Sequence, residues 1–138
     1  MINRNSLQPE NVWVPTSYPY SHAVSANAGR LLFISGQVAL DPDLNYVGIG
    51  DIAAQTHQVF KNLGHVLASA GADFSHVLDL TSFIVGRENL PAHLEALKEI
   101  YAQNYPEADY PADSAILVAG LYREEFLLEV KAVAALPA

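Results

Sequence analysis

The stretch Tyr110-Pro111-Ala112-Asp113-Ser114-Ala115-Ile116-Leu117-Val118-Ala119-Gly120-Leu121 is followed by Tyr122-Arg123-Glu124-Glu125 and then by Phe126-Leu127-Leu128-Glu129-Val130-Lys131-Ala132-Val133-Ala134. Both apolar runs are rich in Val, Leu and Ile and too short for good helices. A glycine and a cluster of charges separate them, so they read as two strands joined by a polar turn. Side chains alternate across a strand, which puts Leu128, Val130, Ala132 and Ala134 on one face and Leu127, Glu129, Lys131 and Val133 on the other. A carboxylate and an ammonium thus stand side by side on an otherwise apolar face. Asp113 enters the first strand behind Pro111, whose ring fixes the approach of the chain. Polar groups at the mouth and middle of such a hairpin are where a pocket would be built.

Upstream of this hairpin the pattern alternates between helix and strand. Asn89 is placed to cap a helix with Pro91 in its first turn, where a missing amide costs nothing, and Leu90, Leu94, Leu97 and Tyr101 form its apolar stripe. Lys98 sits beside that stripe, so its stem can cover the core edge while its head meets water or an anion. The run from His76 to Val85 reads as a largely buried strand. Before it, Asp51 can cap a helix in which Ile52, Val59, Phe60, Leu63, Val66, Leu67 and Ala70 recur at helical spacing up to Gly71. Tyr20–Val24 and Arg30–Ser35 flank Asn27-Ala28-Gly29, a composition suited to a tight reversal, and are expected to form a hairpin. That hairpin ends in Ser35-Gly36-Gln37, where the glycine admits close approach of a backbone or ligand. Residues 1 to 18 are expected to be a loosely ordered lead-in, with Trp13 packed onto the domain. The order ββαβαββ predicts a single α+β domain, with two helices covering one face of the sheet and the other face left for something else to cover.

The composition is consistent with that second, uncovered face. The chain has 138 residues, enough for one domain with a real core. Only 16% of them are charged, below the quarter or more expected of a soluble monomer's surface, and burial in a homo-oligomer would account for the deficit. The net charge of −8, with no gathered Lys or Arg, argues against a nucleic-acid partner. There is no cysteine, which excludes disulfides, thiol nucleophiles and Cys-based metal sites. No run reaches the length of a membrane span and the N-terminus lacks an apolar leader, so the chain is expected in the cytoplasm without a membrane partner.

Chemistry-bearing residues are few. No two of His22, His57, His65, His76 and His93 have the i, i+4 spacing of a helical metal site, and they are expected to face solvent or to make single bonds, with no metal and no cofactor. Ser35 lacks the glycine pattern of a nucleophile elbow. Asp113 and Glu129, on strands expected to be neighbours, would serve as general acid and base if burial separated their pKa values. The alternative is a solvent-facing Asp113 and a Glu129 paired with Lys131 or Lys98.

Several segments, in this order, resemble the Rid family, the reactive intermediate deaminases, also called YjgF-like proteins and often labelled endoribonuclease L-PSP. They are Pro19-Tyr20-Ser21-His22-Ala23-Val24, Arg30 to Gln37, Gln55-Thr56, Asn62-Leu63, Ala70-Gly71-Ala72, Thr81-Ser82-Phe83-Ile84, Ile100-Tyr101, Pro111-Ala112 and Glu129 to Ala134. The resemblance implies a fold like that of small chorismate mutases, homotrimers whose sheets meet as a central barrel, and active clefts between subunits. It implies water attack on an enamine or imine, releasing ammonia and a 2-keto acid. Tyr20 matches the family's pocket tyrosine, Ser35 and Gly36 its Ser-Gly pair, and Glu129 the glutamate that holds water. Asp113 stands where the family has the Arg that grips the substrate carboxylate, and Lys98 where it has an Asn. An Asp there repels a carboxylate, so the resemblance implies a deaminase of altered specificity on a small-molecule substrate, with Glu129, Asp113 and Tyr20 catalytic. Ser35, Gly36, Lys98 and Arg123 would bind substrate, Lys98 or Arg123 supplying the cation or Lys98 pairing with Asp113. The alternative is a non-catalytic trimer binding a small metabolite, and an endoribonuclease ranks last.

Overall fold

A computed structural model describes residues 2–27 and 29–138. Helix α1 (Ile52–Ser69) begins as its sequence dictates, with the Asp51 carboxylate accepting from the Ala54 amide at 3.1 Å. Its buried stripe, including Val59, Phe60, Leu63 and Leu67, lies beside helix α2 (Leu90–Asn104), which buries His93, Ala96, Leu97, Ile100 and Tyr101. Both pack on one face of a four-stranded sheet in the order β3-β6-β4-β5, made of β3 (Arg30–Gln37), β4 (Val77–Val85), β5 (Ala112–Val118) and β6 (Leu128–Leu136). Leu80 and Ile84 of β4 and Leu128, Val130, Ala132 and Ala134 of β6 complete the core beneath the helices. Among the described residues no helix is long and apolar enough to cross a membrane.

Two expectations about strand pairing change. The C-terminal strands are not a hairpin: β4 lies between them, pairing parallel with β5 and antiparallel with β6. The physical reason is the α2 crossover, which returns the chain parallel to β4 and leaves β5 on the sheet edge. Residues 119–127 then carry the chain past β4 to the position between β3 and β4. Nor do the strands around residue 28 pair with each other. Ala28 itself lies outside the described residues, but β2 (Ala23–Asn27) pairs with β1 (Asn3–Leu7) in a separate two-stranded sheet, while β3 pairs with β6.

The lead-in is therefore partly structured. Arg4 of β1 is enclosed, its Nε donating to the Val77 carbonyl at 3.0 Å and one terminal nitrogen meeting the Asp109 carboxylate at 2.8 Å. Trp13 is 68% exposed rather than packed, and its indole nitrogen donates to the Tyr20 hydroxyl at 2.6 Å. Replacing Arg4 by Ala would orphan the Val77 carbonyl and release β1. We expect a loss of roughly 1–3 kcal/mol in urea unfolding and faster amide exchange confined to residues 3–7 and 23–27. Unchanged exchange there would show that β1 is held by other contacts.

The face away from the helices is open. Paired residues share a face, so Phe33 with Val133 and Ile116 with Phe83 belong to it. Phe33 is 74% exposed, Leu31 53% and Ile116 42%. Asn89 does not cap α2 with its side chain; its amide donates to the Val85 carbonyl at 2.8 Å and fixes the β4–α2 turn instead.

Candidate functional site

The residues singled out from the sequence fall in two places. The first is a bulge. Ile34 is paired with Ala132 and Gln37 with Val130, so Ser35 and Gly36 together oppose Lys131 alone. Next to them on β6 stands Glu129, paired with Phe83 and therefore on the open face. Its carboxylate lies over Gly36, and a Cβ at that glycine would run into it. Among the described residues the Glu129 carboxylate makes no ion pair, so it is joined neither to Lys131 nor to Lys98. Its strand is set by Gln55 of α1, a residue the sequence reading passed over as a site support. The Gln55 amide donates to the carbonyls of Gly48 at 3.0 Å and Glu125 at 2.9 Å, and its oxygen accepts from the Leu127 amide at 2.9 Å, two residues before Glu129. Gln55 lies one helical turn before Val59, and that spacing assigns it to the buried stripe.

The second place is a cleft of about 650 Å³ along the β5 edge, where Tyr18, Tyr20, Arg87, Leu90, Asp113 and Ile116 meet. Asp113 is paired with Leu80 and so points to the helix side of the sheet, the opposite face from Glu129. Within one chain the two carboxylates thus form no acid–base pair on neighbouring strands. Nor does Asp113 face solvent. Its Oδ1 accepts from the Ser82 hydroxyl at 3.4 Å, and its Oδ2 is enclosed without a partner, as is the Tyr101 hydroxyl. Burial pushes the Asp113 carboxyl up to about 7, and the lowering effect of hydrogen bonds, among them that from Ser82, does not offset it. The Tyr18 phenol is raised well above its ordinary value by burial and by the charge of Asp113.

Behind Tyr18 lies His93, fully buried and doubly bonded rather than solvent-facing. The Thr56 hydroxyl donates to the Ile52 carbonyl at 2.7 Å, so toward His93 it accepts, from Nδ1 at 3.0 Å. That assignment leaves Nε2 as an acceptor for the Tyr18 hydroxyl at 3.3 Å. The ring is neutral, and burial lowers its pKa to about 4. His93 stands one turn before Leu97 and two before Ile100, so helical spacing places it on the buried face.

Neither cation expected near Asp113 is there. Lys98 is exposed on α2 with its ammonium 3.4 Å from Glu95, and Arg123 lies over the Tyr122 ring, 5.6 Å from its centroid, in the loop before β6. The Lys98–Asp113 pairing is therefore not formed, because Lys98 points outward while Asp113 points beneath the helices. Arg87, in the turn between β4 and α2, is the cation lining the cleft, and no sequence signal marked it. A second groove of about 670 Å³, beside Arg4, Asp73, His76, Glu107 and Asp109, holds none of these candidate positions. Among the described residues no three His, Asp or Glu side chains are grouped to hold a metal ion.

Residues 13–136 match the family model described as endoribonuclease L-PSP. The chain is 34% identical to human 2-iminobutanoate/2-iminopropanoate deaminase over 84% of its own length and 79% of the relative's. It is 32% identical to 3-aminoacrylate deaminase RutC of Acinetobacter baylyi, over 93% and 94%. Among solved structures, YyfB of Yersinia pestis, a Rid-family protein of unknown function, superposes with a TM-score of 0.86 at 39% identity and covers 97% of this chain and 99% of that one. The match spans both halves of the candidate site, from the segment holding Tyr20 to the strand holding Glu129, and the chain belongs to the endoribonuclease L-PSP family, the Rid or YjgF-like proteins.

Proposed function

We propose that this protein is a Rid-type deaminase that hydrolyses an enamine or imine of altered specificity, in a site completed between copies of a homotrimer. The observation that carries the reading is the Glu129 carboxylate, held over the Ser35-Gly36 bulge with no ion-pair partner among the described residues. A carboxylate so placed accepts a proton from water as the water oxygen bonds to the imine carbon. That proton passes to nitrogen to give a carbinolamine; its hydroxyl proton then also moves to nitrogen, the C–N bond breaks, and ammonia leaves behind a carbonyl. Tyr20 and Ser35 would shape and hydrogen-bond the substrate.

The bulge and the β5 cleft lie on opposite edges of the sheet, β3 and β5, so one chain does not join them. A second copy does so naturally. The open face carries Leu31, Phe33 and Ile116, and apolar surface of that kind is covered by association. Three sheets meeting on these faces would form the barrel, with chorismate-mutase-like topology, that the resemblance implies.

A second reading, a non-catalytic trimer that binds a small metabolite, is favoured by Asp113, which replaces the family's carboxylate-gripping Arg. Ribonuclease activity is opposed by the net charge of −8. The deciding experiment is ammonia release from freshly generated 2-aminoacrylate and longer 2-imino acids, compared with buffer, on protein whose mass is measured by light scattering. We expect acceleration above the blank and the mass of three chains. A trimer without acceleration on any substrate would support the metabolite-binding reading, and a monomer with no activity would overturn both.

A further inference from the structure

The cleft along β5 contains a cation that its pattern of family matches does not provide. Arg87 follows Gly86, whose φ of +85° favours glycine, and opens a short 3-10 turn over Arg87–Asn89. The Leu90 amide donates to the Arg87 carbonyl, the Asn89 amide to the Val85 carbonyl at 2.8 Å, and the Asn89 backbone N–H to the Gly86 carbonyl at 3.0 Å. The backbone from which Arg87 projects is therefore fixed, while the guanidinium forms no ion pair among the described residues. Around it the cleft offers the phenols of Tyr18 and Tyr20 and the apolar side chains of Leu90, Ile116 and Leu117.

The objection that Asp113 would repel an anion loses its force in this geometry. Its Oδ2 is enclosed, its Oδ1 is engaged by Ser82, and the carboxyl is turned toward the helix layer. What an entering ligand meets is one guanidinium, two phenols, an aliphatic wall and the edge of Asp113, whose carboxylate oxygens are held on the helix side. We propose that Arg87 is the specificity-determining residue of this cleft, gripping the carboxylate of a small aliphatic 2-imino acid from the turn between β4 and α2. This deepens the deaminase reading and rests on the β5 cleft being its substrate cleft. A guanidinium presents a fork of donors that a carboxylate accepts bidentately, and Leu90, Ile116 and Leu117 then receive the hydrocarbon chain.

The test separates binding from turnover. Butanoate and butanamide, stable and of the same shape, are titrated by NMR into the wild-type chain, Arg87→Ala and Arg87→Lys. We expect butanoate to perturb Tyr18, Tyr20 and Leu90 and to bind Arg87→Ala at least about tenfold more weakly, with Arg87→Lys between the two. Butanamide should bind all three chains alike. Equal butanoate affinity for wild type and Arg87→Ala, or perturbations that map away from the cleft, would overturn the proposal. Where ammonia release is detected, Arg87→Ala should raise KM at least about tenfold and leave kcat within a few-fold, since a group that binds ground state and transition state alike acts on KM. An unchanged KM counts against Arg87 while leaving the deaminase intact. Butanoate binding that depends on Arg87 without ammonia release has the opposite meaning.

Discussion

Glu129→Gln is expected to lower kcat for ammonia release by about 10²–10⁴-fold, the usual worth of a positioned general base, while leaving urea-unfolding stability nearly unchanged. Gln keeps the size of the side chain and loses only the ability to take the proton from water. The side chain is on the open face of the sheet, outside the core, so little packing depends on it. Gly36→Ala provides an independent check. The new Cβ must displace the Glu129 carboxylate, so activity should fall although Glu129 remains in the sequence. Because the two changes act on one carboxylate, the double variant should be about as slow as Glu129→Gln alone. Full activity in Glu129→Gln would remove this residue from the mechanism.

The second large effect concerns Asp113 and His93, which titrate in opposite senses. Asp113 has an ordinary value of 3.8 and a folded value of about 7, so between these the native chain holds a proton that the unfolded chain has released. Its stabilising contribution is present below 3.8 and is lost as pH rises through 7. His93 has an ordinary value of 6.5 and a folded value of about 4, so the native chain lacks a proton that the unfolded chain holds, and stability is lost as pH falls through that window. The windows nearly coincide. In effect folding neutralises an Asp and a His together, with almost no net proton exchange, and the wild type should vary little between pH 5 and 6 from this pair.

Single variants expose each member. Asp113→Asn leaves His93 alone and should lose stability on acidification from pH 7 to 4, on the order of 3 kcal/mol; His93→Asn, which preserves a donor toward Thr56, should gain on the same path. One other group facing the cluster works against the loss expected of Asp113→Asn. Tyr18, Tyr101 and Tyr105 are all raised and stay neutral throughout, and Asp79, raised by its own burial, adds in the direction of Asp113. Urea unfolding at four pH values and fixed protein concentration measures the slopes. A flat profile for Asp113→Asn would show that His93 is not held neutral by the fold.

Local pattern was sufficient for the helices and the strands of the main sheet, though not for β1 and β2. The helical recurrence from Ile52 to Ala70, its Asp51 cap, the apolar run ending at Val85 and the alternation from Leu128 to Ala134 all correspond to observed elements, because these signals depend on neighbours within a few residues. The open face of the sheet was legible too, since two helices cover only one of its sides and the low charged fraction leaves little polar surface for the other. The same spacing rules reach His93 and Gln55, whose polarity drew attention away from the buried stripes they occupy.

The order of strands was not legible. That β6 inserts between β3 and β4, while β5 runs parallel to β4 at the edge, is set by the α2 crossover and by the passage of residues 119–127 past β4. No residue in either strand encodes its neighbour's identity, because a strand's side chains specify a face and its backbone pairs with any partner. The strand order then decides the site. It turns Asp113 beneath the helices and Glu129 to the open face, and it brings Arg87, a residue without any motif, to the cleft along β5. The sequence by itself determined the two helices and the four strands of the main sheet, their buried faces and the family. Only the tertiary structure decided which charges share a cleft, because that depends on contacts between residues far apart in the chain.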